Sequence, residues 1–340
     1  MRARGISYDT GFVRNGVTSR ASFDPVTVER ELRVIRDELH CNAVRVMGGD
    51  PDRVELAAGY AADLGLEVWF SPYPLELAAD EMLSLFADCA ERAERLRLRG
   101  AEVVFVCGAE LSLMNAGFLP GGSLDERVAA LRRPDFPREH LGALSTRVNE
   151  FLGRAAALVR ERFGGRVTYA AVPLECVDWA PFDIVSLDLY RSAATAGQFA
   201  DSVRDLVAQG KLVAITEFGS AGYRGAGARG AEGLEIVEYG EDGRPVRLNG
   251  EYARDEAGQA AYLSELLEVF EAGGVDSAFV FTFALYDHVH RPDGDPRDDL
   301  DLAGYGIVKV YEDRLDAAGP GLPWEPKAAF TAVADHYRGR

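Results

Sequence analysis

Lysine is nearly missing from this chain: Lys211, Lys309 and Lys327 are the only three in 340 residues. Chemistry that depends on a buried lysine amine therefore has few candidates. Cysteine is scarce as well. Cys41, Cys89, Cys107 and Cys176 are widely scattered without C-x-x-C spacing, which points away from a disulfide framework or a zinc cluster and toward reduced thiols, with Cys41 and Cys107 at or within apolar runs. No stretch approaches the roughly 20 apolar residues that a bilayer span requires. Positive charge is also short: 37 Lys and Arg stand against 55 Asp and Glu, a formal net charge of −18. Such a surface repels phosphate backbones and anionic membranes, so neither nucleic acid nor membrane is an expected partner. Neither G-x-S-x-G nor a P-loop occurs. The beginning, Met1-Arg2-Ala3-Arg4-Gly5-Ile6-Ser7-Tyr8-Asp9, enters a strand at once without an apolar signal segment, so a cytoplasmic location is expected.

What is present is a folded composition, 47% hydrophobic and 27% charged, in which short runs rich in β-branched residues alternate with helical patterns. That alternation is the mark of repeated βαβ units and a parallel sheet. Eight strands are predicted: 5–8, 43–47, 67–71, 103–107, 167–171, 184–187, 212–216 and 278–283. Helices are predicted near 53–64, 79–98, 137–163, 196–209, 255–272 and 327–337. Another opens at Asp24-Pro25, with Asp24 as cap and Pro25 in the first turn, followed by Val28, Leu32, Ile35 and Leu39 at helical spacing. The segment 173–181 is too short for more than a turn or two. Eight strands with covering helices fit a closed barrel, which leaves no strand edge to protect. The expected fold is α/β: a single (β/α)8 TIM barrel catalytic domain over 1–340.

Two insertions interrupt the repeat. One, at about 111–137, follows the fourth strand and carries loop chemistry in Pro120-Gly121-Gly122 and Arg133-Pro134. The other, at about 220–254, follows the seventh, and its runs 234–239 and 245–248 around Gly240-Glu241-Asp242-Gly243 read as a β-hairpin on a glycine-rich stalk. Loops after the carboxyl ends of barrel strands build the active face, so both insertions are expected to shape a substrate site.

Two strand-like runs, 103–109 and 212–216, end abruptly in Glu110 and Glu217. A carboxylate leaving a buried strand is costly unless something uses or pairs it. At the mouth of one barrel the two can approach each other, one carboxylic acid protonating a leaving oxygen while the other carboxylate attacks. Burial and like charge would raise the acid's pKa. Arg45, in Asn42-Ala43-Val44-Arg45, is placed to hold Glu217 ionised by a charge-assisted hydrogen bond.

At these residues the chain resembles the glycoside hydrolases of clan A, the four/seven superfamily. The resemblance runs from Gly5 to the last helix and rests on Asn42-Ala43-Val44-Arg45, Gly108-Ala109-Glu110-Leu111-Ser112, Leu189-Tyr190, Thr216-Glu217-Phe218-Gly219, Gly304 to Val308 and Trp324 to Ala329. The form of the fourth-strand motif is most similar to glycoside hydrolase family 113, the mannanases. The resemblance implies Glu110 as acid/base, Glu217 as nucleophile, Arg45 as its electrostatic partner and Tyr190 as a hydrogen-bond donor to it. Two positions depart from the clan pattern: Ala109 stands where an asparagine usually bonds the sugar 2-hydroxyl, and the last strand run, 279–283, lacks the usual tryptophan platform.

Aromatic residues near strand exits, Trp69, Tyr73, Trp179, Tyr190, Phe218, Phe283 and Tyr286, are candidates to stack on sugar rings, with Trp69, Trp179 and Phe283 expected beside the substrate. His288 is a further expected polar contact. The surrounding acidic loop, from Asp287 to Asp301, lacks calcium-loop spacing and reads as solvated. Gly225 to Gly230 matches G-x-G-x-x-G but without a strand before it and a helix after it, and reads as a flexible stalk. A metal-dependent hydrolase would need His-x-His on the first strand, and a Schiff-base aldolase a lysine inside the barrel; Lys211 opens the seventh strand at the wrong end. No metal and no cofactor is expected. The sequence thus points to a retaining β-glycosidase acting on a small oligosaccharide or glycoside. The alternative is an altered barrel that binds a glycan or protein partner without turnover.

Overall fold

The structure is a computed structural model, and it describes residues 1–14, 16–133, 136, 138–240, 243–315 and 321–339. Eight strands, β1 (Ala3–Asp9), β2 (Ala43–Gly48), β3 (Glu67–Pro72), β4 (Val103–Ala109), β5 (Arg166–Ala170), β6 (Ile184–Asp188), β7 (Leu212–Phe218) and β8 (Ser277–Val280), form one parallel sheet. Its order is β5-β4-β3-β2-β1-β8-β7-β6. The two ends meet through a parallel bridge between Ala171 and Leu187 and hydrogen bonds from Ala171 N to Ser186 O (3.1 Å) and Asp188 N to Ala171 O (2.9 Å). The sheet is therefore a (β/α)8 barrel, as the alternation predicts.

The strands are buried on both faces, which is why they read as continuous apolar runs. Inward residues such as Ala43, Trp69, Val104, Ile184, Ala214 and Phe279 form one cluster inside the barrel. Outward residues such as Ile6, Val44, Val68 and Ile215 join a larger cluster with the helices.

The covering helices are α1 (Pro25–Asp37), α2 (Pro51–Asp63), α3 (Ala79–Leu98), α4 (Arg138–Arg160), α5 (Phe199–Val207), α6 (Glu256–Gly273) and α7 (Ala328–Arg338). Asp24 caps α1 as expected, accepting from Thr27 N at 2.8 Å with Pro25 in the first turn. After β5 the chain makes only a 3₁₀ turn, Pro173–Glu175. The fully buried Glu31 of α1 accepts from Tyr8 (2.5 Å), Arg20 (2.9 Å), Tyr286 (2.8 Å) and Trp324 (2.9 Å), tying the first strand, its loop and the closing segment together.

The segment after β4 contains two short helices, Leu111–Met114 and Leu124–Arg132, and the segment after β7 a hairpin of Val237–Tyr239 against Pro245–Leu248. Pro134 and the hairpin-turn residues Glu241 and Asp242, singled out from sequence, lie outside the described residues. The glycine-rich stretch is built into the fold rather than free: it forms 3₁₀ turns at Ala226–Ala228 and Gly230–Ile236, and the Tyr305 hydroxyl donates to Gly230 O (2.8 Å) and accepts from Gly233 N (2.9 Å). Cys41, Cys89 and Cys107 are buried, whereas Cys176 is exposed. Among the described residues no helix is long and apolar enough to cross a membrane.

Candidate active site

Glu110 owes its direction to an irregularity at the end of β4. The register against β5 shifts between Val106 and Ala109, inserting one extra residue on β4. Such a bulge re-aims the side chain that follows it. Gly108 sits there at φ +80°, where an added Cβ would meet Leu111 Cδ2 at 2.9 Å. Glu110 itself has φ +45°, a left-handed conformation that costs a non-glycine residue roughly 1–2 kcal/mol. Its neighbours hold it there. Glu110 N donates to Ala170 O (2.9 Å), Leu111 N to the Tyr169 hydroxyl (2.8 Å) and Ser112 N to Glu175 Oε1 (3.0 Å). Glu175, fully buried in the turn after β5, also accepts from the Tyr169 hydroxyl at 2.8 Å.

Glu217 is placed by a second bulge. Leu187 pairs with Ile215 but Asp188 pairs with Glu217, so β7 carries one extra residue at Thr216. Without it, strict alternation would turn Glu217 outward, since Ala214 already faces the interior. Arg45 Nη1 donates to Glu217 Oε1 (2.9 Å) and to Thr216 O (3.0 Å), Arg45 Nε donates to Ser71 Oγ (3.2 Å), and the Tyr190 hydroxyl donates to Glu217 Oε2 (3.1 Å).

A third carboxylate completes the cluster. Asp188 ends β6, is 2% exposed, and lies 3.7 Å from Arg45 Nη1 and beside the Thr216 hydroxyl. One oxygen from each of Glu110, Asp188 and Glu217 lies within 4.8 Å of the others. Burial, then the charges of Asp188 and Glu217, push the Glu110 carboxyl well above the ordinary carboxylate range. Asp188 is likewise pushed well up by burial and by Glu217. Burial raises Glu217 too, but Arg45 and Tyr190 oppose that rise. Of the three, Glu217 is the carboxylate with direct cationic and phenolic contacts, the environment that stabilises charge.

Both glutamates line a cavity of about 640 Å³, together with Tyr190, His288, Tyr73 and Phe281. Of the residues read from sequence as contacts, Arg45, Tyr190 and His288 come together with the pair. His288 is 6% exposed, its Nδ1 lies 2.7 Å from Asp287 Oδ1, and its Nε2 has no hydrogen-bond partner among the described residues.

Trp69, Trp179 and Phe283 do not reach the cavity. Trp69 is inward-facing but lies below the mouth, packed on Phe279 with its Nε1 donating to Glu67 Oε1 (2.8 Å) at the start of β3. Trp179 follows β5 but packs on Phe182, and its carbonyl takes the amine of Lys211, next to the start of β7, at the opposite end of the barrel from Glu217. Phe283 points outward, wedged between Tyr8 and Trp324. The aromatic that does reach the cavity beside the last strand is Phe281, immediately after β8, whose N donates to Phe218 O at 2.8 Å. Phe281 and Asp188 escaped the sequence reading. For Asp188 the signal was present: Ile184, Ser186 and Asp188 alternate, so an inward Ile184 implies an inward Asp188.

Two groups of donors lie close enough together to hold a metal ion among the described residues: Glu110, Asp188 and Glu217, and His290, Asp299 and Asp301. In the first the guanidinium of Arg45 already supplies positive charge. In the second Asp299 and Asp301 are buried and engaged by Arg254 (2.8 and 2.7 Å), with Lys327 2.7 Å from Asp301. That part of the acidic loop is thus an internal ion-pair network rather than a solvated surface.

No family model and no curated sequence matches the chain. Solved structures do. A glycoside hydrolase family 113 β-1,4-mannanase aligns with a TM-score of 0.64 at 15% identity over 99% of each chain. The family 113 β-mannanase from Alicyclobacillus acidocaldarius aligns at 0.58 and 15% identity, covering 99% of this chain and 97% of its own. The family 1 β-glucosidase from Thermotoga maritima aligns at 0.56 and 11% identity, with coverage of 99% and 97%. The likeness is one of fold and spans essentially the whole chain: this protein is a (β/α)8 barrel of the kind that the family 113 mannanases and the family 1 β-glucosidase share.

Proposed function

We propose that the protein is a retaining β-glycosidase in which Glu110 is the acid/base and Glu217 the nucleophile. The observation that carries this reading is the approach of their carboxylate oxygens within 4.8 Å in one cavity. Retaining chemistry needs carboxyl groups about 5 Å apart, whereas an inverting pair needs roughly 6.5–9.5 Å to admit a water. The unequal environments supply the division of labour. Glu110, raised by burial and like charge, keeps its proton and delivers it to the glycosidic oxygen while Glu217, held ionised by Arg45 and Tyr190, attacks the anomeric carbon. The glycosidic bond breaks as the bond to Glu217 forms. Glu110, now ionised, takes a proton from water, which displaces the sugar from Glu217. The substrate class is a small β-linked glycoside or oligosaccharide, in keeping with the glycoside hydrolases that share the fold.

Incubation with activated 2-fluoro glucosides, mannosides, galactosides and xylosides, followed by peptide mass analysis, tests the reading. A mass increase on the Glu217 peptide with one of them supports it and names the sugar. The buried Ala109 favours the competing reading, a barrel that binds a glycan without turnover, because its methyl leaves no amide beside Glu110. Failure of all four sugars to label Glu217 would decide for that reading.

A further inference from the structure

We propose that the leaving group this site accepts is an apolar aglycone, an alkyl or aryl group, rather than a second sugar. The inference rests on the glycosidase reading, because an acid at Glu110 requires the glycosidic oxygen to lie beside it, so the departing group packs on the wall adjoining Glu110.

That wall is apolar and built. Leu75 comes from the loop after β3, and Met114 and Leu124 from the two short helices after β4; all three line the cavity and are half-buried. Glu76 joins them. Its N donates to Met114 O (2.9 Å), and its carboxylate accepts from Leu124 N (2.7 Å) and Arg127 Nη2 (2.7 Å). Asn115 adds a second tie, donating to Pro74 O (3.1 Å) and accepting from Leu77 N (3.1 Å). Charged side chains of this wall pair within it: Arg14, which also lines the cavity, lies 3.6 Å from Glu76 and 3.5 Å from Asp125, and Arg127 Nε donates to Leu113 O (2.6 Å). Besides the paired Arg14, what faces the leaving group is hydrocarbon and thioether. A sugar there would bring hydroxyls onto a surface with few groups to pair them, which is unfavourable, whereas an alkyl or aryl group gains by leaving water, and methionine adapts to its shape.

A further polar contact lies across the mouth. In the order of the sheet β8 stands four strands from β4, diametrically opposite in an eight-stranded barrel, and the loop after β8 carries His288, whose Nε2 has no hydrogen-bond partner among the described residues. The side that would take the sugar thus offers an imidazole among Phe281, Leu285 and Val289, and the side that would take the aglycone offers Leu75, Met114 and Leu124 beside Arg14.

The test begins with the sugar that labels Glu217 and compares kcat/KM for its methyl glycoside, its octyl glycoside below the micelle concentration, and its β-1,4-linked homodisaccharide. Methyl and octyl alcohols are similar leaving groups, so their ratio reads contacts to the chain. Octyl is expected to exceed both others by about tenfold or more, since several methylenes are buried. In Met114→Ser and Leu124→Ser the octyl-to-methyl ratio is expected to fall toward one, a ratio that does not depend on the folded fraction. A ratio below ten in the unaltered protein, a disaccharide faster than the octyl glycoside, or a ratio unmoved by both substitutions overturns the proposal while the labelled Glu217 leaves the glycosidase reading standing. Absence of any label removes that reading and this inference with it.

Discussion

Arg45 on β2 and Glu217 on β7 meet across the barrel mouth, 2.9 Å from Nη1 to Oε1, between side chains exposed by 0% and 5%. The same nitrogen lies 3.7 Å from Asp188. One buried cation therefore serves two buried carboxylates, and its removal leaves both uncompensated. Arg45→Ala is expected to destabilise the fold by about 3–5 kcal/mol, read as a lowered urea midpoint. Arg45→Lys restores charge but not the fork of donors, and is expected to recover only part of the loss. Equal stability of all three proteins would refute the arrangement.

Glu110 as acid matters only when the leaving group needs a proton. Glu110→Ala is therefore expected to slow hydrolysis of an alkyl glycoside by about 10²–10⁴-fold while leaving formation of the covalent intermediate from a 2,4-dinitrophenyl glycoside nearly intact. Pre-steady-state release of dinitrophenolate measures the second quantity. Equal losses on both substrates would remove Glu110 from the acid role.

The pH profile carries the signature of Asp188. As the proposed acid, Glu110 acts protonated, so kcat/KM is expected to fall as pH rises through its pKa, and burial with the charges of Asp188 and Glu217 places that fall above the ordinary carboxylate range. Asp188→Asn removes one of those charges and makes ionised Glu110 easier to form. The alkaline limb is expected to move to lower pH, and a limb that stays in place would exclude the coupling.

Asp9, at the end of β1, is 1% exposed, and burial raises its pKa to about 7, although it accepts from Gly11 N (2.6 Å) and the Ser19 hydroxyl (3.1 Å). In the unfolded chain it ionises near pH 4, at about 3.9. Between these values the folded protein holds a proton that the unfolded chain has lost, so the contribution of Asp9 to stability is full below about pH 4 and is lost as pH rises to about 7. Asp9→Asn retains an acceptor for Gly11 and is expected to flatten that decline, measured as the difference in urea midpoints between the two proteins from pH 4 to pH 8. Parallel curves would contradict the raised pKa.

Much of the fold was legible because parallel barrel strands are buried on both faces and so announce themselves as short apolar runs. All eight appear where the pattern places them, and α1 opens at the residues its cap specifies. The loops were less legible. Gly225 to Gly230 reads as a free stalk because glycine advertises conformational freedom, and its ties come from afar: the Tyr305 hydroxyl, brought from 75 residues away, to Gly230 O, and Ala193 N to Ala228 O. Asp299 and Asp301 read as solvated because charge usually is, and their partners Arg254 and Lys327 are distant in sequence.

The amino-acid sequence by itself determined the barrel and the positions of Glu110 and Glu217 at the ends of their strands, since hydrophobic burial and the local costs of charge act on runs of neighbouring residues. Which side chains share the cavity was decided only by tertiary structure. A bulge in β7 turns Glu217 inward against strict alternation, the left-handed backbone after the β4 irregularity sets the direction of Glu110, the depth of Trp69 within the barrel seals it from the mouth, and barrel closure beside β6 brings Asp188 to Arg45. Register, depth and closure are relations between strands far apart in the chain, and no run of neighbouring residues encodes them.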